Sequence, residues 1–141
     1  VKDRNSIICK KIEHSIENIE IKNNFPFEVS FGEYRFTFSR KSDVNTKYIP
    51  RTKRTVWLKY DTLKFPLTLR IWKAGDKLQP FGMKGSKKVS DILTDQKVSP
   101  TKKRVYPVLV SGNTIIWIPG INISQECAIN ELTRDVIEIS F

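Results

Sequence analysis

The chain has 141 residues, with 25 Lys or Arg against 15 Asp or Glu and a net charge of +10 at pH 7. This length supports one ordinary domain or two small ones with a buried core. The positive charge favours a polyanionic partner, either nucleic acid or an acidic membrane surface. No apolar run approaches the ~20 residues of a membrane-spanning helix, and the mostly strand-like sequence argues against a long amphipathic helix lying on a membrane. Nucleic acid is therefore the favoured partner, and no membrane association is expected.

The first 55 residues are predicted to be rich in strand. A short strand is expected at 6–9, and around 16–21 a strand is favoured over a helix. Apolar and polar residues alternate over 27–31 and again over 34–38, on either side of a Gly-Glu pair, which predicts a β-hairpin. The stretch 39–55 is polar and basic with few core candidates, so we expect an exposed basic loop there.

The stretch 67–104 begins as a strand and continues as a glycine loop. Apolar residues recur at every second position from Leu67 to Ile71, the period of a strand that packs one face on a core. The loop that follows is marked by five residues within eleven positions, which are Gly75, Asp76, Pro80, Gly82 and Gly85. Glycines so placed supply positive φ angles or admit a close backbone approach, and we expect Asp76 to close the loop through a local hydrogen bond to backbone.

A helix is predicted after the loop, with Ser86 as its N-cap. Val89, Ile92 and Leu93 give it one apolar stripe. Pro100 ends the winding and starts a second helical turn that reaches residue 104.

The predicted helix start suggests an anion site. Between residues 81 and 104 there are seven Lys or Arg against two Asp. On this prediction Lys87 and Lys88 lie in the first helical turn, beside free backbone N–H groups, where anions bind readily. The alternative is that these lysines only solvate a helix face, but a glycine loop directly before the helix favours anion binding. Asp91 and Asp95 are interpreted as salt-bridge partners of nearby lysines.

The end of the chain is again strand-like. Residues 107–110 and 114–118 flank a Ser-Gly-Asn turn, which predicts a hairpin, and their apolar character on both faces predicts a central place in a sheet. A last strand is expected within 135–141. The fold class is therefore α+β and strand-rich, with an antiparallel or mixed sheet and one or two short helices. We divide the chain into a part with residues 1–55, including the basic loop, and a part with residues 56–141.

Thiol and histidine content gives little sign of catalysis. Cys9 and Cys127 occur in a sequence without a signal-peptide pattern, so reduced thiols in a cytoplasmic protein are the default, with a disulfide as the open alternative. His14 is the only histidine, which excludes a metal site built on two histidines. The start at Val1 rather than at a methionine predicts a fragment of a longer protein.

The second part carries motifs in an order and spacing that resemble a known family. These motifs are Pro66-Leu67 with Arg70, Gly75-Asp76, Pro80-x-Gly82-Met83-x-Gly85, Lys87-Lys88-Val89-Ser90-Asp91, Lys97, Arg104, Pro107-Val108-Leu109 and Ile115-Ile116-Trp117-Ile118-x-Gly120. Together they are similar to the C-terminal domain of tRNA(Ile)-lysidine synthetase. The resemblance covers roughly residues 56–141.

The family joins free lysine to the cytidine at the first anticodon position of the tRNA(Ile) with a CAU anticodon, using ATP, and so changes codon reading from AUG to AUA. The resemblance implies that this chain recognises the tRNA at its acceptor stem, beside an N-terminal catalytic domain that takes ATP with Mg and lysine. That domain carries a Ser-Gly-Gly-x-Asp-Ser loop, and none of the six glycines here are adjacent. The chain alone is therefore expected to be inactive and to hold no cofactor or metal.

Charge and resemblance together predict the RNA contacts. The principal contacts are Lys87, Lys88 and Arg104. Further contacts are expected at Arg70, Lys84, Lys97, Lys102 and Lys103, on a loop shaped by Gly75, Asp76, Gly82 and Gly85.

Two alternatives remain open. One is a module that docks the chain's own catalytic domain or a second copy as a homodimer. The other is a general basic RNA-binding module. Gly82-Met83-Lys84-Gly85 also matches the Gly-x-x-Gly loop of KH domains, but a KH loop joins two helices, whereas a strand is predicted before these glycines, so this match is set aside.

Overall fold

A computed structural model of the chain describes residues 17–141. The strand expected at 6–9, the histidine, the first cysteine and the chain start lie outside the described residues. Within them the strands are β1 Ile19–Ile21, β2 Phe27–Phe31, β3 Tyr34–Lys41, β4 Thr55–Lys59, β5 Leu67–Ile71, β6 Lys77–Leu78, β7 Lys87–Lys88, β8 Pro107–Ser111, β9 Thr114–Ile118, β10 Asn122–Ile123 and β11 Val136–Ser140. The α-helices are α1 Val89–Asp95 and α2 Pro100–Arg104. In this range no helix is long and apolar enough to cross a membrane.

One sheet has four antiparallel strands in the order β2-β3-β11-β4. The predicted hairpin is present, since Phe31 pairs with Tyr34 across a two-residue turn in which Gly32 has a φ of 59°. β11 inserts between β3 and β4, so a strand from the end of the chain hydrogen-bonds to both. This sheet therefore combines strands from both sides of residue 55.

A second sheet has five antiparallel strands in the order β1-β5-β8-β9-β10. The hairpin predicted around the Ser-Gly-Asn turn is β8–β9, and β8 occupies the middle of the sheet as expected. β1 pairs with β5, so strands from both sides of residue 55 also meet here. The division into two parts at residue 55 stays a prediction.

The five-stranded sheet is covered on both faces, which explains why β8 and β9 are apolar throughout. One face packs on the four-stranded sheet, with Phe36, Leu69 and Trp117 in the shared core. The other face packs on α1, through contacts that bury Leu93 and Val108 completely. Each such fully buried aliphatic or aromatic side chain contributes roughly 1.5–3 kcal/mol. The α+β, strand-rich class is confirmed.

The basic loop is shorter than predicted. Ser39, Arg40 and Lys41 belong to β3, because they pair in register with Glu138, Ile137 and Val136 of β11. The Lys41 Nζ atom also lies 3.6 Å from a carboxylate oxygen of Glu138. The polar sequence of 39–41 concealed a strand end whose partner is almost a hundred residues away. The exposed connection is 42–54, with a 3-10 turn at Thr46–Tyr48.

Candidate nucleic-acid interface

The glycine loop has the backbone conformation that its sequence predicts. Gly75, Gly82 and Gly85 have φ angles of 93°, 82° and 77°. A Cβ atom built at any of the three would meet no heavy atom within 4 Å, so glycine is required by the backbone and not by crowding. Gly82 and Gly85 lie between β6 and β7, whereas Gly75 lies before β6, so the glycine loop spans residues 72–86 with β6 inside it. A KH loop joins two helices, so the strands on either side of Gly82 and Gly85 agree with setting the KH match aside.

The base of this loop is fixed by hydrogen bonds to the segment after β9. The Gly82 N–H donates to Gln125 Oε1 at 2.8 Å, and the Phe81 N–H donates to the Ile123 carbonyl at 3.0 Å. The loop tip remains open, since Phe81 is 55% and Met83 52% exposed. Lys84, which follows Met83, is exposed as well. The loop therefore presents an apolar pair and a cation to solvent from an anchored base.

Asp76 closes the start of the loop and binds Arg70. Its Oδ2 atom accepts the Lys73 N–H at 2.8 Å, the local hydrogen bond to backbone that we expected. Two Arg70 guanidinium N–H groups donate to the two carboxylate oxygens at 2.8 and 3.0 Å. Burial alone would raise the pKa of Asp76. The hydrogen bonds and charges of Arg70 and Lys73 outweigh this effect and hold the pKa below its ordinary value. Arg70, expected among the RNA contacts, is thus engaged in holding the loop.

The helix begins two residues later than its sequence indicates, with Lys88 rather than Ser86 as its N-cap. Lys87 and Lys88 form strand β7, paired with β6, and α1 starts at Val89, whose N–H donates to the Asp76 carbonyl at 2.9 Å. The prediction that both lysines lie in the first helical turn is wrong, because their backbone pairs with that of β6 in a two-stranded sheet. The apolar stripe is confirmed, since Val89, Ile92 and Leu93 are buried. With only seven residues and its first N–H bonded, α1 no longer supports an anion site at its start.

The β6–β7 pairing reveals a cation that the sequence analysis missed. Lys77 lies directly opposite Lys88, and residues directly opposite in an antiparallel pair point to the same face. Both lysines are exposed. Neither has a carboxylate partner in the described part of the chain. On the other face of the pair, Leu78 is buried.

Two of the predicted lysines have partners within the protein. Lys87 forms an ion pair with Asp95, as expected for that aspartate. The Lys103 Nζ atom donates to Thr94 Oγ1 at 2.8 Å and lies 5.7 Å from the centre of the Trp72 ring. These contacts join β7 and α2 to the end of α1. The start of α2 is as predicted, with proline in its first turn, and Ser99 is its N-cap.

The remaining cations form what we call the basic strip. Its members are exposed and have no carboxylate partner within residues 17–141. They are Lys77, Lys84, Lys88, Lys97, Lys102 and Arg104. In chain order they lie on β6, in the glycine loop, on β7, between the two helices and in α2, and within residues 17–141 they add positive charge to this part of the fold without a counterion.

The family follows from comparison with known proteins. The family described as "TilS substrate C-terminal domain" has a sequence model that matches residues 67–138, just over half of the chain. The chain belongs to this family. The matched stretch of this TilS C-terminal domain contains the glycine loop, β6, β7 and both helices, and with them the whole basic strip.

Curated relatives agree with the family assignment. The tRNA(Ile)-lysidine synthase of Parabacteroides distasonis is 40% identical over 119 residues, which are 84% of this chain and 26% of that protein. The tRNA(Ile)-lysidine synthase of Bacteroides thetaiotaomicron is 35% identical over 137 residues, or 97% of this chain and 29% of that protein. The chain thus spans between a quarter and a third of the length of these two relatives.

Solved structures show the same fold. A crystal structure of a TilS C-terminal domain superposes with a TM-score of 0.72 at 19% identity, covering 88% of this chain and 95% of the other. An N-terminal fragment of the phenylalanyl-tRNA synthetase β-subunit from Pyrococcus horikoshii superposes with a TM-score of 0.53, also at 19% identity, over 60% of this chain and 27% of the other. At this identity each comparison shows similarity of fold alone.

Proposed function

We propose that this chain is the tRNA-recognising part of a tRNA(Ile)-lysidine synthase and that its basic strip contacts tRNA phosphates. The observation that carries the proposal is the opposed pair Lys77 and Lys88, two exposed cations without a counterion inside the family-matched stretch. An external polyanion would satisfy both charges. Because the chain belongs to the TilS C-terminal domain family, we propose that this polyanion is tRNA.

The whole enzyme would ligate lysine to the first anticodon cytidine of the tRNA(Ile) with a CAU anticodon, in the cytoplasm. Its ATP, Mg and lysine would bind to an N-terminal catalytic domain, because this sequence lacks the Ser-Gly-Gly-x-Asp-Ser loop of that domain. We expect the chain alone to form no lysidine. Release of pyrophosphate from tRNA, ATP and lysine in its presence would contradict this.

The strip suits the acceptor stem of the tRNA. Duplex RNA is recognised mainly through its phosphates, its 2′-hydroxyls and its shape, and these need cations and backbone donors rather than base-reading side chains. Lys77, Lys88 and Arg104 are the principal contacts in this proposal. Lys87 and Lys103 would contribute only by leaving Asp95 and Thr94, and Arg70 only by leaving Asp76.

A second candidate function is docking of the catalytic domain. Phe81 and Met83 favour it, since both are more than half exposed on an anchored loop. A second copy of the chain is the alternative docking partner. If the loop only docks protein, Phe81→Ser with Met83→Ser would impair assembly and leave tRNA affinity unchanged.

Competition binding tests the proposed function. The 141-residue chain is bound to labelled tRNA(Ile) with a CAU anticodon and challenged with unlabelled tRNA(Ile) or with random-sequence duplex RNA. We expect tRNA(Ile) to compete more strongly than the duplex. Equal competition would favour a general RNA-binding module, and a failure to bind tRNA at all would contradict the proposal.

A further inference from the structure

Phe81 is an exposed aromatic residue that takes no part in packing the fold. Within the described residues only one aromatic residue, Tyr48, is more exposed. Phe81 belongs to neither hydrophobic core, and its ring makes no aromatic or cation–π contact within residues 17–141. Met83, two residues further on, is also more than half exposed and lies outside both cores. This apolar pair is therefore available to a partner.

The backbone that carries Phe81 is held by hydrogen bonds to the segment after β9. The Phe81 N–H donates to the Ile123 carbonyl at 3.0 Å, and the Gln125 N–H donates to the Gln79 carbonyl at 2.9 Å. These bonds use backbone groups only, so they fix the place from which the ring projects and leave the ring itself in solvent. A side chain presented from a fixed backbone loses little conformational freedom when it binds.

Cations of the basic strip lie close to this ring. Residues 79–86 connect β6 to β7, and the strand pair at their base carries Lys77 opposite Lys88. A chain advances by at most about 3.6 Å per residue, so the Cα atom of Phe81 lies within about 11 Å of the end of β6. Lys84, three residues after Phe81, is a further exposed cation without a carboxylate partner in the described residues. One ligand can therefore contact the ring and these cations together.

The charge around the ring favours RNA over a protein partner. Lysine is depleted in protein–protein interfaces, whereas aromatic rings among cations are the pattern that binds the bases and phosphates of nucleic acids. Residues 77–90 contain four lysines and no acidic residue. Glu126, which follows the anchoring Gln125, is exposed, and in the described part of the chain it forms no ion pair with these lysines. Charge complementarity thus favours the RNA of the proposed function as the ligand of this loop.

We propose that Phe81 stacks on the base face that is exposed where the RNA duplex bound by the basic strip ends. The inference rests on the proposed function, which puts duplex phosphates on the strip. Inside a duplex each base pair is covered by its neighbours, so an aromatic ring can stack without unwinding the RNA only at an end. Met83 adds apolar contact beside the ring. Because phosphates repeat along the stem, the end contact sets how far along it the chain binds.

Two labelled RNAs with the same short stem test the proposal. One is a blunt duplex, and the other is closed by a nucleotide loop at each end, so that it has no free terminal base pair. The 141-residue chain should bind the blunt duplex about tenfold more tightly, as expected when one base stacks on an aromatic side chain. Phe81→Ser should remove that preference and keep the affinity for the closed form. Phe81→Tyr retains a ring and should keep the preference.

Tyr48→Ser is the matched control, because Tyr48 is an exposed aromatic residue in the connection 42–54, outside the basic strip. It should retain the preference for the blunt duplex. Because the Phe81 ring lies outside both cores, urea denaturation of the Phe81→Ser variant should match that of the unsubstituted chain. This measurement separates a lost RNA contact from a lost fold.

Equal binding of the two RNAs, or a preference that survives Phe81→Ser, would overturn the inference and leave the proposed function intact, because the strip would still bind the closed form. If Phe81→Ser instead leaves both affinities unchanged and weakens association with the catalytic domain, the loop docks protein and the inference is wrong. A loss of affinity for both RNAs by the same factor would also overturn it, since the ring would then not distinguish an end. Binding of neither RNA by the unsubstituted chain would overturn the inference and the proposed function together.

Discussion

Lys77 and Lys88 lie directly opposite each other on β6 and β7, exposed and without a carboxylate partner in the described residues. Like charges in this position destabilise a strand pair by roughly 0.2–1 kcal/mol. Lys88→Gln should therefore raise the free energy of unfolding slightly in urea denaturation and weaken binding to tRNA. Lys22→Gln, the exposed control at the far sheet edge, should change neither. A Lys88 variant that loses stability and keeps its tRNA affinity would contradict the role of the pair.

The glycine loop should tolerate asparagine better than valine. Gly82 and Gly85 have positive φ angles, and the position that a Cβ atom would take at each lies in open space, so the cost of substitution lies in the backbone alone. Gly82→Val should lower the free energy of unfolding by about 1–2 kcal/mol, and Gly82→Asn by less, because asparagine enters the left-handed region more readily. Thermal or urea unfolding measures the difference. Equal losses for the two variants would show that φ is not the constraint.

The Arg70–Asp76 pair should make stability depend on acid pH. Because the pKa of Asp76 is lower in the folded state, its contribution is present above the unfolded pKa of about 3.9 and is lost as the pH falls through the folded pKa. Asp76→Asn should cost about 1–3 kcal/mol at pH 7, and its deficit should shrink below about pH 4. The exposed Asp61→Asn is the control. An Asp76→Asn deficit that stays constant as the pH falls would contradict this.

Cys127 should be unreactive in the folded protein. Its side chain is completely buried, its Sγ atom accepts the Thr62 hydroxyl at 3.4 Å, and burial raises the pKa of the thiol. In a Cys9→Ser variant, where Cys127 is the remaining thiol, alkylation should be slow in buffer and complete in urea. Alkylation in buffer at the rate seen in urea would show that the site is accessible.

The local sequence pattern was sufficient to predict those elements whose partner segment lies nearby in the sequence. The β2–β3 and β8–β9 hairpins, the apolar stripe of α1 and the proline at the start of α2 all follow from residues within one turn or one hairpin. The positive φ angles of the loop glycines follow in the same way. The insertion of β11 between β3 and β4 depends on pairing over almost a hundred residues, which no local pattern encodes.

The sequence predicts which types of residue form the candidate site, but it does not predict how they are arranged. β6 and β7 have two residues each, too few for a strand period to be visible, so Lys87 and Lys88 were assigned to a helix and Lys77 was missed. The Arg70–Asp76 contact spans six residues, and nothing in the sequence distinguishes an arginine with an internal carboxylate from a free one. Family resemblance supplied the residue types, whereas their counterions required the structure.

Salt dependence tests the central claim most directly. The triple variant Lys77→Ala, Lys88→Ala, Arg104→Ala removes three cations of the basic strip, with Lys77 taking the place of Lys87 because Lys87 pairs with Asp95. The matched control removes three exposed lysines elsewhere, Lys22, Lys47 and Lys64. Each variant is titrated with tRNA(Ile) over a range of salt concentrations after its fold has been checked by thermal unfolding.

Each lost phosphate contact should flatten the slope of log affinity against log salt by about 0.9. We therefore predict that the triple variant loses about two to three units of slope and weakens most at low salt, while the control keeps the slope of the unsubstituted chain. A folded triple variant with unchanged tRNA affinity and unchanged slope would place the RNA-binding face elsewhere on the protein.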